Sequence, residues 1–96
     1  MNYNFEWDAN KARLNQEKHN VRFEEAATVF RDPMALSIYD QEHSEAEERW
    51  ITIGISSKGR VLVVCHTFQK ETQESATIRI FSSRKATKQE NKQYGG

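Results

Sequence analysis

The chain has 96 residues, 36% hydrophobic and 29% charged, with Lys/Arg and Asp/Glu balanced at 14 each. That length sets a single domain, residues 1–96, with one modest core, which 2 Trp, 3 Tyr and 5 Phe are enough to anchor. The absence of any run of ~18 apolar residues excludes a membrane-spanning helix, and a single cysteine, Cys65, excludes an intramolecular disulfide framework and fits a reducing compartment.

The opening MNYNFEWDANK lacks a basic-then-apolar signal, so secretion is not expected. Asn4–Trp7 reads as a short strand leading into a helix from Ala9 to about His19. Asp8 is its N-cap, because a carboxylate there accepts a bond from a free N–H of the first turn. This helix is polar, with Ala12 and Leu14 as its candidates for burial. A second helix is marked by Phe23, Ala26, Ala27 and Phe30, whose i, i+3, i+4, i+7 spacing puts them on one face. Asp32-Pro33 ends it, since the residue before proline is pushed out of the helical region. Leu36–Tyr39 is a short strand, and an acidic run follows from Asp40 to Glu48. Arg49–Ser57 alternates Ile51, Ile53 and Ile55 with Trp50, Thr52 and Gly54, the period of a strand. Arg60–Phe68 is apolar on both faces through Val61-Leu62-Val63-Val64-Cys65, as a central strand is. Lys58-Gly59 between them is a candidate two-residue turn. Gln69–Glu74 is a polar connection, and Ala76–Ser82 is the last strand. Thr87-Lys88-Gln89-Glu90 matches a capping box, in which threonine and glutamate side chains satisfy each other's backbone N–H. It opens a short helix that ends before Gly95-Gly96. The order predicts an α+β fold, an antiparallel sheet with helices packed on one face.

The zero net charge hides an asymmetry. Residues 1–48 carry five Lys/Arg against eleven Asp/Glu, and residues 49–96 carry nine against three. A basic half points to a polyanionic partner such as nucleic acid, unless the halves intermingle in space and cancel. A two-residue turn sets Ile51 opposite His66 and Arg49 opposite Phe68, so that Arg49 and His66 share a face. Arg79 then points to the open side of the sheet, with Arg84, Lys85 and Lys88 just past the end of its strand. Lys88 at the first helical position meets the positive end of the macrodipole, a cost that a bound phosphate would reverse.

Each of these groups has a purely structural alternative. Arg49 can pair with Glu47 or Glu48, His66 can be a packed and satisfied histidine, and Lys18-His19 can simply suit the C-terminal end of a helix. His43 among Asp40, Glu42, Glu45 and Glu47 lacks tight ligand spacing, so that run reads as a solvated loop and no metal is expected. Cys65 inside an apolar run reads as an inert thiol. No Gly-rich phosphate loop, Gly-x-Ser-x-Gly elbow or Cys-x-x-Cys occurs, and no cofactor is expected.

The order of residues nevertheless resembles one family along nearly the whole chain. Phe5-Glu6-Trp7-Asp8, Lys11, Asn15, Lys18-His19, Val21, Phe23-Glu24-Glu25-Ala26, Val29-Phe30 and Asp32-Pro33 are similar to the BrnT toxins. So are Glu48-Arg49, Ile53-Gly54, Arg60-Val61-Leu62-Val63-Val64, Ile78-Arg79-Ile80 and Arg84-Lys85-Ala86-Thr87 with Glu90. Phe81-Ser82-Ser83-Arg84 stands where the family usually has Ile-Ser-Ala-Arg. The resemblance implies a RelE-like fold, a small antiparallel sheet with two N-terminal helices and one short C-terminal helix. It implies a translation-inhibiting ribonuclease toxin of a type II toxin–antitoxin pair, acting in the cytoplasm. Its partner would be a BrnA-type ribbon-helix-helix antitoxin, through which alone the complex meets operator DNA.

RNA cleaves itself when a 2′-hydroxyl attacks the adjacent phosphorus, leaving a 2′,3′-cyclic phosphate and a 5′-hydroxyl. Arginine suits the extra phosphorane charge, because its planar fork matches phosphate oxygens. Arg49 and Arg84 are therefore the expected phosphate clamp, with Arg79, Lys85 and Lys88 on neighbouring phosphates. His19 is the expected general acid or base, since an ordinary imidazole titrates near neutrality; Lys18 and His66 are the next candidates. The competing reading is a non-catalytic module that uses the same basic face to hold nucleic acid or an acidic protein.

Overall fold

In chain order the elements are β1 (Asn2–Glu6), α1 (Ala9–His19), α2 (Phe23–Thr28) with a 3-10 turn (Val29–Arg31), β2 (Leu36–Tyr39), β3 (Arg49–Ile55), β4 (Val61–Thr67), β5 (Gln69–Lys70), β6 (Ser75–Lys85) and α3 (Lys88–Gly95). They belong to a computed structural model that describes residues 1–95. One six-stranded sheet runs in the order β1-β6-β4-β3-β2, with β5 also on β6. β1 lies parallel to β6, Phe5 beside Ile78, and every other pairing is antiparallel. The sheet is thus mixed rather than wholly antiparallel. Its first and sixth strands meet across most of the chain, so no hairpin dictates their relative direction.

The sequence explains the element ends. Asp8 Oδ2 accepts from the Lys11 N–H at 3.0 Å and starts α1. Asn20, at φ 56°, closes it by donating its N–H to the Gln16 carbonyl, the left-handed cap that asparagine tolerates. Asp32 does more than stop a helix. Its carboxylate accepts from Met34 N–H at 2.9 Å, Ile55 N–H at 2.8 Å and the Tyr94 hydroxyl at 2.5 Å, joining the approach to β2, the end of β3 and α3. No helix among the described residues is long and apolar enough to cross a membrane.

The core lies between the first two helices and one face of the sheet. Val21, Phe23, Ala26 and Val29 pack there with Leu62, Val64, Ile78 and Ile80, and Phe5, Trp7 and Phe30 close the margin. Burying each large apolar side chain contributes about 1.5–3 kcal/mol. Gly54 is required by this packing, because a Cβ there would sit 2.8 Å from Val29 Cγ1 and 3.0 Å from Ala35 Cβ. Of the two residues expected to be buried on α1, Ala12 is partly buried against the core but Leu14 is 53% exposed; the most buried residue of that helix is Asn15. On the other face Ile53 and Val63 are also buried, and α3 packs against β3. Helices therefore cover both faces, not one.

The β3–β4 turn has three residues, Ser57-Lys58-Gly59, not two. Ser56 N–H bonds Arg60 O at 2.8 Å, Gly59 N–H bonds Ser56 O at 2.9 Å, and Gly59 takes φ 80°, where a side chain is strained. The extra residue moves the pairing by one position. Arg49 faces Thr67, Trp50 faces His66 and Ile51 faces Cys65. Because side chains alternate, this shift sends His66 to the face opposite Arg49. Beside the turn, buried Glu25 accepts from Ser56 Oγ at 2.7 Å and from Arg60 Nε at 3.0 Å. The Arg60 guanidinium holds that carboxyl below its usual range. This pair and the one between Glu6 and Arg79 link the acidic and basic halves, so part of the charge asymmetry cancels internally.

Candidate active site

β6 determines where the basic groups meet. Cys65 pairs with Ser82, but His66 pairs with Ile80, so Phe81 is an extra residue in a β-bulge, a device that re-aims side chains. The Phe81 ring is approached by two cations. The Arg49 guanidinium carbon lies 4.2 Å and the Lys11 ammonium 5.2 Å from the ring centroid, both within cation–π range. Arg49 also meets Glu47 at 3.7 Å, a weak and partly solvated pair. Its Nε is buried with no hydrogen-bond partner among the described residues. An unpaired buried donor is costly, and an anion arriving at the guanidinium would satisfy it.

α1 supplies the other wall. Beyond the reach of β1, the free edge of β6 is covered by a side chain. Asn15 Nδ2 donates to Ser83 O at 2.8 Å and to Val21 O at 3.0 Å, while Oδ1 accepts from Ser83 N–H at 3.1 Å. The amide replaces a neighbouring strand's peptide group and fixes the helix against the sheet. Lys11, Lys18 and His19 flank Asn15 at helical spacing (i−4, i+3, i+4), which brings them to one side. Together with Leu14, Phe81 and Ser82 they line a shallow cavity of about 280 Å³. A second cavity of about 440 Å³ shares Lys11 and Phe81 and extends to Trp7, Asp8 and Arg79.

Arg79 is half exposed and lies 3.5 Å from Glu6. Arg84, near the end of β6, is engaged by the helix that follows: Nη1 and Nη2 donate to the two Glu90 oxygens at 2.7 and 2.9 Å. Glu90 also accepts from Thr87 N–H, and Thr87 Oγ1 accepts from Glu90 N–H, completing the expected capping box. The Arg84 fork, with the Thr87 N–H, brings the Glu90 carboxyl down to about 2. Lys85 and Lys88 are exposed at this junction, Lys88 as the first residue of α3. The structure therefore brings His19 and Lys18 together beside Phe81, with Arg49 on the same ring. It directs Arg84 toward α3, five residues along β6 from Arg79, roughly 16 Å at ~3.3 Å per residue.

His66 stands apart. It is 2% exposed and packs edge-on against Phe30 at 4.8 Å between ring centroids. Its Nδ1 lies 2.8 Å from Thr67 O, its Nε2 2.7 Å from Thr52 Oγ1, and Thr52 Oγ1 2.8 Å from Ser37 Oγ. These partners suit a neutral ring that donates from Nδ1 and accepts at Nε2. Burial pushes its pKa below the ordinary 6.5. His43 meets Asp40 at 2.9 Å in the exposed acidic loop. Lys11 and Phe81 are the site residues the sequence reading did not assign. The signal for Lys11 was its helical spacing from Asn15, Lys18 and His19; for Phe81 it was the shared parity with Arg79.

This α+β fold with a mixed sheet has a solved counterpart. The 1.1 Å crystal structure of the Brucella abortus ribonuclease toxin, BrnT, is similar with a TM-score of 0.60, over 92% of this chain and 100% of that one. Sequence identity is 20%, so the likeness is one of fold. No curated protein is significantly similar in sequence. The family model that matches, over residues 7–90, is that of the ribonuclease toxin, BrnT, of type II toxin–antitoxin systems. The chain belongs to that BrnT family of ribonuclease toxins.

Proposed function

We propose that this protein is a metal-independent endoribonuclease whose active site lies between α1 and the β6 bulge. One observation carries the reading: Lys11, Lys18 and His19 of α1 gather beside Phe81, over which Arg49 of β3 also lies. In-line attack by a 2′-hydroxyl needs a proton-transfer group and fixed positive charge at the phosphorane. His19 moves the proton, as acid or base, with Lys18 next to it as the second candidate. Arg49, with its unpaired Nε, holds the scissile phosphate. Arg79, Lys85 and Lys88 hold flanking phosphates. Arg84 contacts a more distant phosphate through the N–H groups that Glu90 leaves free, and also positions α3. His66 supports the sheet from the opposite face. The products are a 2′,3′-cyclic phosphate and a 5′-hydroxyl.

The fold reads as RelE-like and the biological partner as a BrnA-type ribbon-helix-helix antitoxin. That antitoxin restrains cytoplasmic cleavage that would otherwise inhibit translation, and operator DNA is contacted only through it. Purified protein is incubated with RNA and the ends of the products are analysed. Cyclic phosphates are expected, with cleavage and growth inhibition lost in His19→Ala, Arg49→Ala and Arg84→Ala and rescue on co-expression of the antitoxin. Parental cleavage by all three variants would overturn the site. Salt-dependent RNA binding without scission would replace the enzyme by a binding module.

A further inference from the structure

We propose that Phe81 is a stacking platform for an unpaired nucleobase, making single-stranded RNA the form of substrate this site takes. The inference rests on the ribonuclease reading and deepens it.

Phe81 differs from the protein's other aromatic side chains. Tyr3, Phe5, Phe30 and Phe68 form one group of ring contacts, Trp7 packs on Phe23, and Tyr39 packs on Trp50. Tyr94 is tied to Asp32 through its hydroxyl. Among the described residues Phe81 meets no other aromatic ring; its partners are the two cations. It is half-buried, so part of the ring is presented, and it borders both cavities of the basic face. Leu14, a 53%-exposed apolar residue on an otherwise polar helix, lines the smaller cavity with it. An aromatic ring and an apolar side chain at one slot suit a flat, weakly polar ligand, and the surrounding Lys11, Lys18 and Arg49 suit the phosphates attached to it. A nucleobase stacks on rings and on guanidinium planes alike, so it can take the place of a cation over Phe81 while its backbone keeps that cation's charge in use. A paired base is already stacked within its helix and cannot enter.

The test uses two RNA oligonucleotides methylated at every 2′-oxygen, so that they bind without being cut. One carries 2-aminopurine at a central position and the other an abasic site there. The wild-type protein should quench 2-aminopurine fluorescence and bind the base-bearing strand about tenfold or more tightly than the abasic one, as base–aromatic stacking commonly gives. Phe81→Leu should erase that preference, bringing the two strands to equal affinity; Phe81→Trp should keep it. Equal binding of the two strands by the wild type, or a preference that survives in Phe81→Leu, would overturn the stacking role. If Phe81→Leu does not fold, the wild-type comparison and Phe81→Trp decide alone. Equal binding with RNA cleavage intact overturns the stacking proposal only, whereas no binding and no cleavage overturns the ribonuclease site as well.

Discussion

The two faces of the central strands carry similar chemistry to opposite ends. On the face covered by α1 and α2, His66 is enclosed, neutral and fully partnered by Thr52 and the Thr67 carbonyl, and Ser37 completes the chain of bonds. On the other, one residue away along β4 and across to β3, Arg49 is partly exposed, weakly paired and short of an acceptor at Nε. A satisfied buried polar group fixes architecture, whereas an unsatisfied donor at a rim is reserved for something that arrives. The difference lies in whether hydrogen-bonding capacity is already spent.

That contrast can be broken in order of expected effect. Asn15→Ala strips partners from Ser83 N–H, Ser83 O and Val21 O together, and should cost about 3–5 kcal/mol in urea unfolding at ~1–3 kcal/mol for each buried group left unpaired. A loss near zero would show that the amide does not close the β6 edge. Arg49→Ala should lower RNA cleavage about a hundredfold, the scale for removing one charge-stabilising donor, with stability changed by less than ~1 kcal/mol for a partly exposed side chain. The reverse result would make Arg49 architectural. Thr52→Val should do the opposite, costing about 1–3 kcal/mol by orphaning His66 Nε2 while cleavage by the folded fraction stays at the parental rate.

The acid limb of thermal stability sharpens the contrast with smaller effects. The folded state holds His66 below 6.5, so the unfolded chain takes up that proton first and stability falls as pH drops below 6.5. His66→Gln should flatten that part of a melting-temperature profile. Glu90 is held at about 2 against 4.5, so its contribution is complete above 4.5 and is lost as pH falls toward 2. Glu90→Gln should flatten only this lower segment, leaving the slope near 6.5 unchanged.

Local signals carried much of the fold. Asp8, the Phe23–Phe30 periodicity and the Thr87–Glu90 capping box each act over a few residues, and each element stands within a few positions of its expected place, except β5, whose two polar residues lie in the segment expected to be a connection. What escaped was long-range or a matter of parity. One extra turn residue, Ser57, moved His66 across the sheet, and β6 runs on from Ser82 to Lys85 past the bulge at Phe81 through polar residues that carry no strand period. Hydrophobic spacing favoured Leu14 for burial because it cannot register an asparagine whose amide serves as a strand. The parallel contact of β1 with β6 has no signature in either segment alone. Lys18 and His19 were recognisable as cations at a helix end, but only the Asn15 tether shows which strand they border.

The Asn15 tether has a consequence for how the molecule keeps to itself. Exposed peptide groups on a strand invite a foreign polypeptide to lie alongside, the first step toward aggregation. A single planar amide occupies that berth on β6 and leaves a newcomer nothing to grip, without the length of chain another strand would take. The β2 flank, with Leu36 and Ile38 exposed, has no such guard among the contacts described, and so remains a place where a polypeptide could lengthen this sheet.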